Sequence, residues 1–557
     1  MADVEINEQA TIKRLVAAGN NEIWTIEDVM AAGTMVALDA DNDFTADDID
    51  TSDQLNMFEA YQKVFVVNGE NLYVADFVNT KLTSDIELVT LPVHGDILSQ
   101  YQEVAGKYAY MVVDFVSEYN TTTANKHLIY GYAYYAGAAT AFTTAHNILD
   151  ANDVVIVTAG NLTVAADPMP HWYAWTVYNG DTGDTPLYGA MPNKAYLGCL
   201  YRGRTIISGD PEHPYLWYMA RQADPWDWAY LAGDAGTPVK GGNADAGELG
   251  DIIRCLIPYK DDYLIFGCAT CIWYLSGDPS YSGDLGGLDL TTGIFGANSW
   301  CWDGAGNLYF WGTNGFYKTT IPGVPICLSA IALPDLIKDE AADPSTHRIT
   351  MAYDRRDYGI NICITKLSDG HNSNYWYDLK TEGLFPEEYP HQCGPYSLFY
   401  YAANDTTLRD VLVGCKDGYI RKFDKTTKDD NIGGTDQLID SYAVLGPIQL
   451  SDGINDGTLS NINIVSAGGI SGGEDDSNDI EYSVFAARTS EHITKDVTTA
   501  TAKYSGTFSS PGYQKGNIDR KKVRGRFGAV KIGNDAAIET WGFEKLTIDV
   551  KQIGRVL

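Results

Sequence analysis

The only Cys-x-x-Cys pair in the sequence consists of Cys268 and Cys271. Such a pair can supply two ligands of a zinc site or the two thiols of a redox-active disulfide. A second pair, or two histidines at ligand spacing, would complete a common zinc site, and the sequence contains neither. The pair also falls in a predicted hairpin turn, not at a helix N-terminus where a redox thiol would be activated. We therefore expect two structural thiols.

Several aspartates lie close to tryptophans along the chain. Glycosidases hold a sugar against aromatic rings between two carboxyl groups, so this pattern is compatible with glycoside hydrolysis. Asp and Trp serve equally well as turn and packing residues of a β structure, and we expect that use here. The aspartates are Asp224, Asp227, Asp278 and Asp303, and the tryptophans are Trp226, Trp228, Trp273 and Trp302.

The remaining candidates for chemistry are weak. His171 and His391 have no evident catalytic partner, so we expect structural histidines. The segment from Asp39 to Asp50 places acids as a calcium loop does, but Phe44 stands where the loop needs Gly and Asp50 replaces the bidentate Glu. We expect a solvated acidic loop without calcium. A serine nucleophile elbow and a phosphate-binding glycine loop are missing from the sequence. The sequence therefore assigns no catalytic, cofactor-binding or metal-binding residue.

One basic cluster stands out near the end of an acidic chain. It can contact DNA or an acidic patch on a neighbouring subunit, or it can protect an edge strand from unwanted pairing. The sequence leaves these alternatives open. The cluster comprises Lys515, Arg520, Lys521, Lys522, Arg524 and Arg526.

Composition limits the class of protein. The 557 residues carry 74 acids and 39 bases, a net charge of −35. This argues against a protein that grips nucleic acid over its whole surface, although DNA can pass an acidic wall without adhering. The nine cysteines are odd in number and scattered, which argues against a disulfide framework and favours folding in a reducing cytoplasm. We expect neither a signal peptide nor a membrane-spanning segment.

One pattern recurs along most of the chain: an apolar strand, a tight turn and a strand bearing Tyr or Trp. Asn68-Gly69 provides the clearest turn, because both residues tolerate the positive φ of a two-residue hairpin. Such units recur every ~40 to 60 residues, as β-propeller blades do. The sequence predicts an all-β fold, a β-propeller with an inserted small β domain and a C-terminal β region closing the array. An antiparallel sandwich is the alternative, but it would not need so many hairpins.

The sequence divides into five predicted segments. For the last of them, a terminal β-sandwich is an alternative to closure of the propeller. The segments are a mixed region at 1–50 with a helix over 7–19, the first propeller hairpins at 51–90, the inserted β domain at 91–190, the main blades at 191–440 and the closing strands at 441–557.

Several of these hairpins carry motifs of a known family. YRGRTIISG (201–209), YMAR (218–221) and DPWD (224–227) resemble the tail nozzle, or tail tubular protein B, family of short-tailed phages, which includes packaged-DNA stabilisation proteins. Similar stretches are found at 264–278, 311–317, 523–526 and 541–544. The resemblance covers about 196–424 and the C-terminus well, and 1–190 poorly.

The resemblance implies a structural virion protein of the phage tail, assembled in the host cytoplasm. It implies a homo-oligomer, a hexameric ring below the tail adaptor ring, which channels and gates packaged DNA until ejection. The implied partners are the adaptor, tail fibre or spike proteins and the genomic DNA in the lumen. No enzymatic activity or cofactor is implied. A propeller glycoside hydrolase or a glycan-binding module is the alternative function.

Overall fold

A computed structural model describes most of the chain, which forms two compact units. One unit comprises Met1–Pro386 with Gly394–Lys422, and the other comprises Glu387–Cys393 with Phe423–Leu557. Among the described residues, no helix is long and apolar enough for a membrane crossing. The described residues are all except 8–10, 28–32, 41–48, 52–53, 104–105, 118–126, 138, 165–169, 179–186, 231–232, 242–248, 282, 425–426, 453–454, 469–476, 510, 518–522 and 554–557.

The described residues of the first unit form eight sheets, of which seven are numbered here as blades in chain order and one is an inserted sheet. Blade 1 is Ala2–Asn7, Thr11–Gly19, Glu22–Glu27 and Val36–Ala37. Blade 2 is Asn56–Ala60, Lys63–Val67, Leu72–Asp76 and His171–Ala174, with Asp39–Ala40 added in parallel. Blade 3 is Leu197–Tyr201, Arg204–Ser208, Trp217–Met219 and Val239–Lys240. Blade 4 is Ile253–Tyr259, Tyr263–Cys268, Ile272–Ser276 and Asp284–Asp289.

The later blades follow the same plan. Blade 5 is Trp300–Trp302, Asn307–Gly312, Gly315–Thr320 and Ile326–Cys327, followed by short helices at Ser329–Ala332 and Leu336–Glu340. Blade 6 is His347–Asp354, Gly359–Lys366, Asn372–Asp378 and Gly383–Glu387. Blade 7 is Pro395–Tyr401, Asp410–Cys415 and Ile420–Lys422.

The blades form a closed ring because each packs on the next and blade 7 packs on blade 1. The first strands of neighbouring blades approach one another, so they are the inner strands. Blades 4 and 5 meet through Tyr259 and Trp302, whose ring centroids are 4.9 Å apart. At the closure, Leu15 of blade 1 shares a buried cluster with Tyr401 and Leu412 of blade 7. The predicted β-propeller is confirmed, and the described residues give it seven blades.

The N-terminal helix predicted over 7–19 is wrong, because Thr11–Gly19 is a strand of blade 1. Leu15 is buried against blade 7, whereas the next residue, Val16, is buried in the cluster shared with blade 2. Successive side chains thus enter cores on opposite faces, which a strand permits and a helix does not. The closing partner of the ring is this N-terminal blade, not the segment 441–557.

The inserted β domain is a seven-stranded sheet that leaves blade 2 after Asp76 and returns at His171. Its first strand begins at Thr80, ahead of the predicted boundary at 91, and the predicted range 91–190 also includes one strand of blade 2. One face of the sheet packs into the largest buried cluster of the unit. In sheet order the strands are Val155–Val157, Ile148–Leu149, Ile97–Tyr101, Tyr108–Val116, His127–Ala136, Thr80–Ser84 and Leu162–Val164.

The second unit is a β-sandwich whose two sheets share one core that includes Leu459, Ile462, Val484 and Val530. Its helix, Ser490–Thr499, is capped by Thr489, whose side chain accepts a hydrogen bond from the His492 backbone N–H.

The strands of this unit form two four-stranded sheets and a separate hairpin. The first sheet is Ser441–Gln449, Phe527–Asn534, Ile480–Ala487 and Tyr504–Phe508. The second sheet is Gly512–Asn517, Gly457–Ser466, Arg524–Gly525 and Phe543–Gln552. The hairpin pairs Asp430–Ile432 with Thr435–Gln437.

Candidate functional site

The arginine of the YRGRTIISG motif, Arg204, holds blade 3 together from inside. It is 1% exposed. Its guanidinium donates hydrogen bonds to the carbonyls of Ala220 at 3.1 Å, Gly236 at 3.0 Å and Thr237 at 2.6 Å. These bonds fasten the loop before the last strand of the blade to the hairpin. The motif residue therefore has an architectural role.

The aspartates of the DPWD motif also serve the fold. Asp224 accepts a hydrogen bond from the Trp226 backbone N–H at 2.9 Å. Asp227 accepts one from the Ala229 N–H at 2.9 Å and pairs with Arg221. Trp226 is fully buried, and so is Trp228 two residues later. These indoles are unavailable to a soluble sugar.

Two further predicted carboxylates lie in separate turns. Asp278 accepts hydrogen bonds from the backbone N–H and the hydroxyl of Ser280, at 2.9 and 2.7 Å. Asp303 accepts bonds from the backbone N–H of Asn307 at 2.8 Å and from its side-chain amide at 2.6 Å. Trp302 packs on Tyr259, and Trp273 donates its indole N–H to a cysteine sulfur. Each of these two carboxylates therefore stabilises the turn in which it lies.

The other predicted residues are dispersed. His171 is buried, with its ring 5.4 Å from that of Tyr173. In the basic cluster, Arg524 forms an ion pair with Asp456 at 3.2 Å. Residues 520–522 of that cluster and 41–48 of the acidic loop lie outside the described residues. Cys268 and Cys271 are both buried thiols.

An aromatic cleft lies between blades 5 and 6, and we call it the tyrosine cleft. It encloses about 360 Å³. Blade 5 contributes the turn after its first strand and one residue each from its second and third strands. Blade 6 contributes residues of its first and third strands and of the turns that follow them. The lining residues are Asp303, Gly304, Ala305, Tyr309, Lys318, Tyr353, Tyr358, Tyr377, Leu379 and Glu382.

The cleft presents hydroxyl groups and ring surface beside charges of both signs. Lys318 Nζ lies 5.4 Å from the centroid of the Tyr309 ring, which in turn lies 5.9 Å from Tyr377. Burial raises the pKa of Tyr377 to about 12 and also raises that of Tyr309. Both phenols are therefore neutral hydrogen-bond donors at neutral pH. Tyr358 is 54% exposed at the rim. Such a site can bind a polyhydroxylated molecule by stacking and hydrogen bonding.

A second cavity, of about 400 Å³, lies where the inner strands begin. Its lining comes from blades 2 to 6, from Gln54 before blade 2 to Arg348 in the first strand of blade 6, so it lies at one mouth of the central opening. Arg254 and His347 also line it, with Asp210 as an acidic neighbour. This mouth therefore carries cationic groups in an otherwise acidic protein.

The comparisons with known proteins give structural likeness only. No protein-family model and no curated protein matches the sequence. The chain is similar to the GH74 xyloglucanase from Xanthomonas campestris, at 13% identity over 44% of this chain and 38% of that protein, with a TM-score of 0.27. It thus spans less than half of that enzyme's length.

Two other solved structures show the same level of similarity. The extracellular domain of a putative one component system from B. thetaiotaomicron is 12% identical over 92% of this chain and 68% of that one, with a TM-score of 0.30. The tricorn protease is 11% identical over 73% of this chain and 42% of that one, with a TM-score of 0.25. Similarity at this level carries no information about activity.

Proposed function

We propose that the protein is a structural component of a phage virion, a tail nozzle whose subunits form a ring below the adaptor and gate packaged DNA. The observation that carries this proposal is the use of the motif residues. Arg204, Asp224 and Asp227 are committed to hydrogen bonds inside blade 3. A structural protein acts by assembling with its partners, so we expect its sequence motifs to stabilise the fold.

The position of Trp226 adds to this argument. Its ring stacks on Phe115 of the inserted sheet, with centroids 4.2 Å apart and an interplanar angle of 21°. The motif therefore also fixes the inserted domain to the propeller. A rigid connection between two modules suits a subunit that transmits contacts between neighbouring tail proteins.

The net charge and a row of exposed and half-buried tyrosines are also compatible with this role. A net charge of −35 favours a lumen that DNA traverses without adhering. Four tyrosines of the inserted sheet form a row of neighbouring rings. The ring centroid of Tyr110 lies 5.0 Å from that of Tyr134 and 5.8 Å from that of Tyr108. The centroids of Tyr101 and Tyr108 are 5.0 Å apart. Tyrosine is enriched at protein interfaces, so we assign this row to contact with an adjacent tail protein.

Immunogold electron microscopy tests the location. Antibodies raised against the purified chain are applied to particles of the phage that encodes it. We expect label at the tail, below the site of the adaptor. Label confined to capsids, or an absence of label on particles that bind antibodies against other tail proteins, would contradict the proposal.

The tyrosine cleft favours glycan binding as a second candidate function, because it combines aromatic rings, neutral phenols and carboxylates in one half-open cavity. The variant Tyr358→Ala removes the exposed rim ring. Tyr281→Ala is the matched control, because Tyr281 is 87% exposed and outside the cleft lining. If the cleft binds host polysaccharide, the first variant weakens binding at least about tenfold and the control leaves it unchanged. Release of reducing ends would indicate a hydrolase instead.

A further inference from the structure

The Cys-x-x-Cys pair occupies a tight hairpin in blade 4. Cys268 ends one strand and Cys271 immediately precedes the next, which begins at Ile272. The backbone N–H of Cys268 donates to the carbonyl of Cys271 at 2.9 Å. The two residues that flank a two-residue turn project their side chains to the same face of the hairpin, so the two sulfur atoms lie on one face.

The carboxylate of Asp251, from another part of blade 4, lies close to these sulfur atoms. Asp251 lies two residues before the first strand of the blade, and its Oδ2 is 3.6 Å from Cys271 Sγ. One ligand atom each from Asp251, Cys268 and Cys271 lies within 4.8 Å of the others. In a tetrahedral zinc site, with Zn–S of about 2.3 Å and Zn–O of about 2.0 Å, sulfur and oxygen are roughly 3.5 Å apart. The observed separation fits that geometry.

The surrounding hydrogen bonds hold these side chains in place. Thr270 donates to Asp251 Oδ2 from its backbone N–H at 2.7 Å and from its hydroxyl at 2.8 Å. Ile252 donates its N–H to Oδ1 at 2.8 Å. The Trp273 indole N–H lies 3.2 Å from Cys271 Sγ, where it can donate to a thiolate. Bonds of this kind orient metal ligands and lower the cost of thiolate charge.

We propose that Asp251, Cys268 and Cys271 form a zinc site, with a water molecule in the fourth position. Zinc takes the place of the proton that Cys271 now shares with Asp251. Binding releases the protons of both thiols to solvent, so two thiolates and one carboxylate surround the divalent ion and the site has a net charge of −1.

The protonated cluster is the competing state. Zinc binds cysteine as the thiolate, so each thiol must lose its proton when the ion binds. Zinc affinity should therefore rise with pH, because each bound ion must displace two protons. Asp251 also caps the hairpin through its bonds from Thr270, so zinc uptake is what distinguishes a metal site from a purely structural turn.

A zinc ion at this site would connect the segment before the first strand of blade 4 to the hairpin of its second and third strands. Ile252, next to Asp251, and Arg254 line the cavity at the mouth of the central opening. An ion at Asp251 would therefore stiffen one segment of that mouth. This inference is independent of the proposed tail function, because a zinc site can form in a propeller with any role.

Metal analysis of the full-length chain tests the proposal. The protein is purified under reducing conditions, stripped with a chelator, reloaded with zinc and measured by mass spectrometry of the metal. Cobalt titration supplies a second readout, because thiolate ligands give a charge-transfer band that oxygen ligands do not. We expect about one zinc ion per chain and this band.

Three variants locate the ligands. Cys268→Ala with Cys271→Ala should lower the zinc content to below about one tenth and abolish the cobalt band. Asp251→Asn keeps both thiols and the shape of the third side chain, and should weaken zinc binding at least about tenfold. Cys301→Ala, a buried cysteine of blade 5, is the control and should change nothing.

Two results would overturn the proposal. One is wild-type protein that takes up less than about a tenth of an equivalent of zinc and shows no cobalt band. The other is an equal zinc affinity of wild type and Asp251→Asn, measured by competition with a chelator. The second result decides the question even if the double cysteine variant fails to fold.

Discussion

Lys63 of blade 2 and Asp114 of the inserted sheet form an ion pair, with Nζ 2.8 Å from Oδ2. Asn79 donates a second hydrogen bond to the same carboxylate oxygen at 2.8 Å. The side chains are only 8% and 18% exposed. A buried charge without its partner is costly, so this pair makes the attachment of the inserted domain specific.

The first prediction concerns that pair. Asp114→Asn removes the carboxylate that pairs directly with the buried Lys63 ammonium and leaves only the charge of Asp76 nearby, so it should destabilise the first unit by up to about 3 to 5 kcal/mol. Adding Lys63→Met removes the stranded charge, so the double variant should recover part of this loss. Urea unfolding followed by tryptophan fluorescence provides the measurement. Disrupting the exposed Lys194–Glu70 pair is the control, and additive effects of the two core substitutions would contradict the account.

The second prediction is a pH dependence. Burial disfavours the charged form of Asp114, but Lys63 and the hydrogen bonds outweigh burial, so the pKa of Asp114 lies below its ordinary value of 3.8. The pair therefore stabilises the fold above that ordinary pKa, and this stabilisation is lost as the pH falls through the lower folded-state pKa. Thermal unfolding of wild type and Asp114→Asn between neutral and acid pH should converge at the acid end. A constant difference would contradict this assignment.

The third prediction concerns Arg204. Arg204→Met keeps most of the side-chain volume but leaves the carbonyls of Ala220, Gly236 and Thr237 without their donor, and should cost about 3 kcal/mol or more. Arg202→Met, two residues earlier and half-buried, removes a 3.4 Å hydrogen bond from the guanidinium to the Asp261 carbonyl and should have a clearly smaller effect. Unfolding midpoints of the two variants provide the comparison, and equal midpoints would show that the motif arginine has no special role.

The fourth prediction concerns the contact of blade 2 with the start of blade 3. Gly69 has φ +84°, and a Cβ there would lie 2.2 Å from the ring of Tyr196. Gly160 has the same φ of +84°, but a Cβ there would meet no atom within 4 Å. Both alanine variants incur backbone strain of about 1 kcal/mol or more, and only Gly69→Ala adds a steric clash. Gly69→Ala should therefore unfold at a clearly lower denaturant concentration, and equal midpoints would contradict the packing.

Local patterns were sufficient to predict hairpins in blades 2 to 7, because each hairpin combines alternating apolar residues with a turn that only a few residue types permit. Thr11–Gly19 was mistaken for a helix because Leu15 and Val16 enter two different cores, and Leu15 meets partners hundreds of residues away. The blade number followed only from that closure.

The candidate sites were harder to predict for the same reason. The Cys268–Cys271 spacing is visible in the sequence. Asp251, however, precedes a different strand and comes close to the two cysteines only because blade 4 folds. Likewise, the tyrosine cleft draws Tyr309 and Tyr377 from two blades. The roles of Asp224 and Asp227 were predictable, since aspartates before turns commonly accept local backbone hydrogen bonds.

The central claim is that the protein is a ring-forming part of a phage tail, and its copy number in purified particles tests this claim most directly. Quantitative mass spectrometry with isotope-labelled peptides would compare the chain with the portal protein. We predict about six copies per about twelve portal subunits, as a hexameric ring below the adaptor requires. Absence of the chain from intact particles, at a detection limit below one copy, would contradict the account.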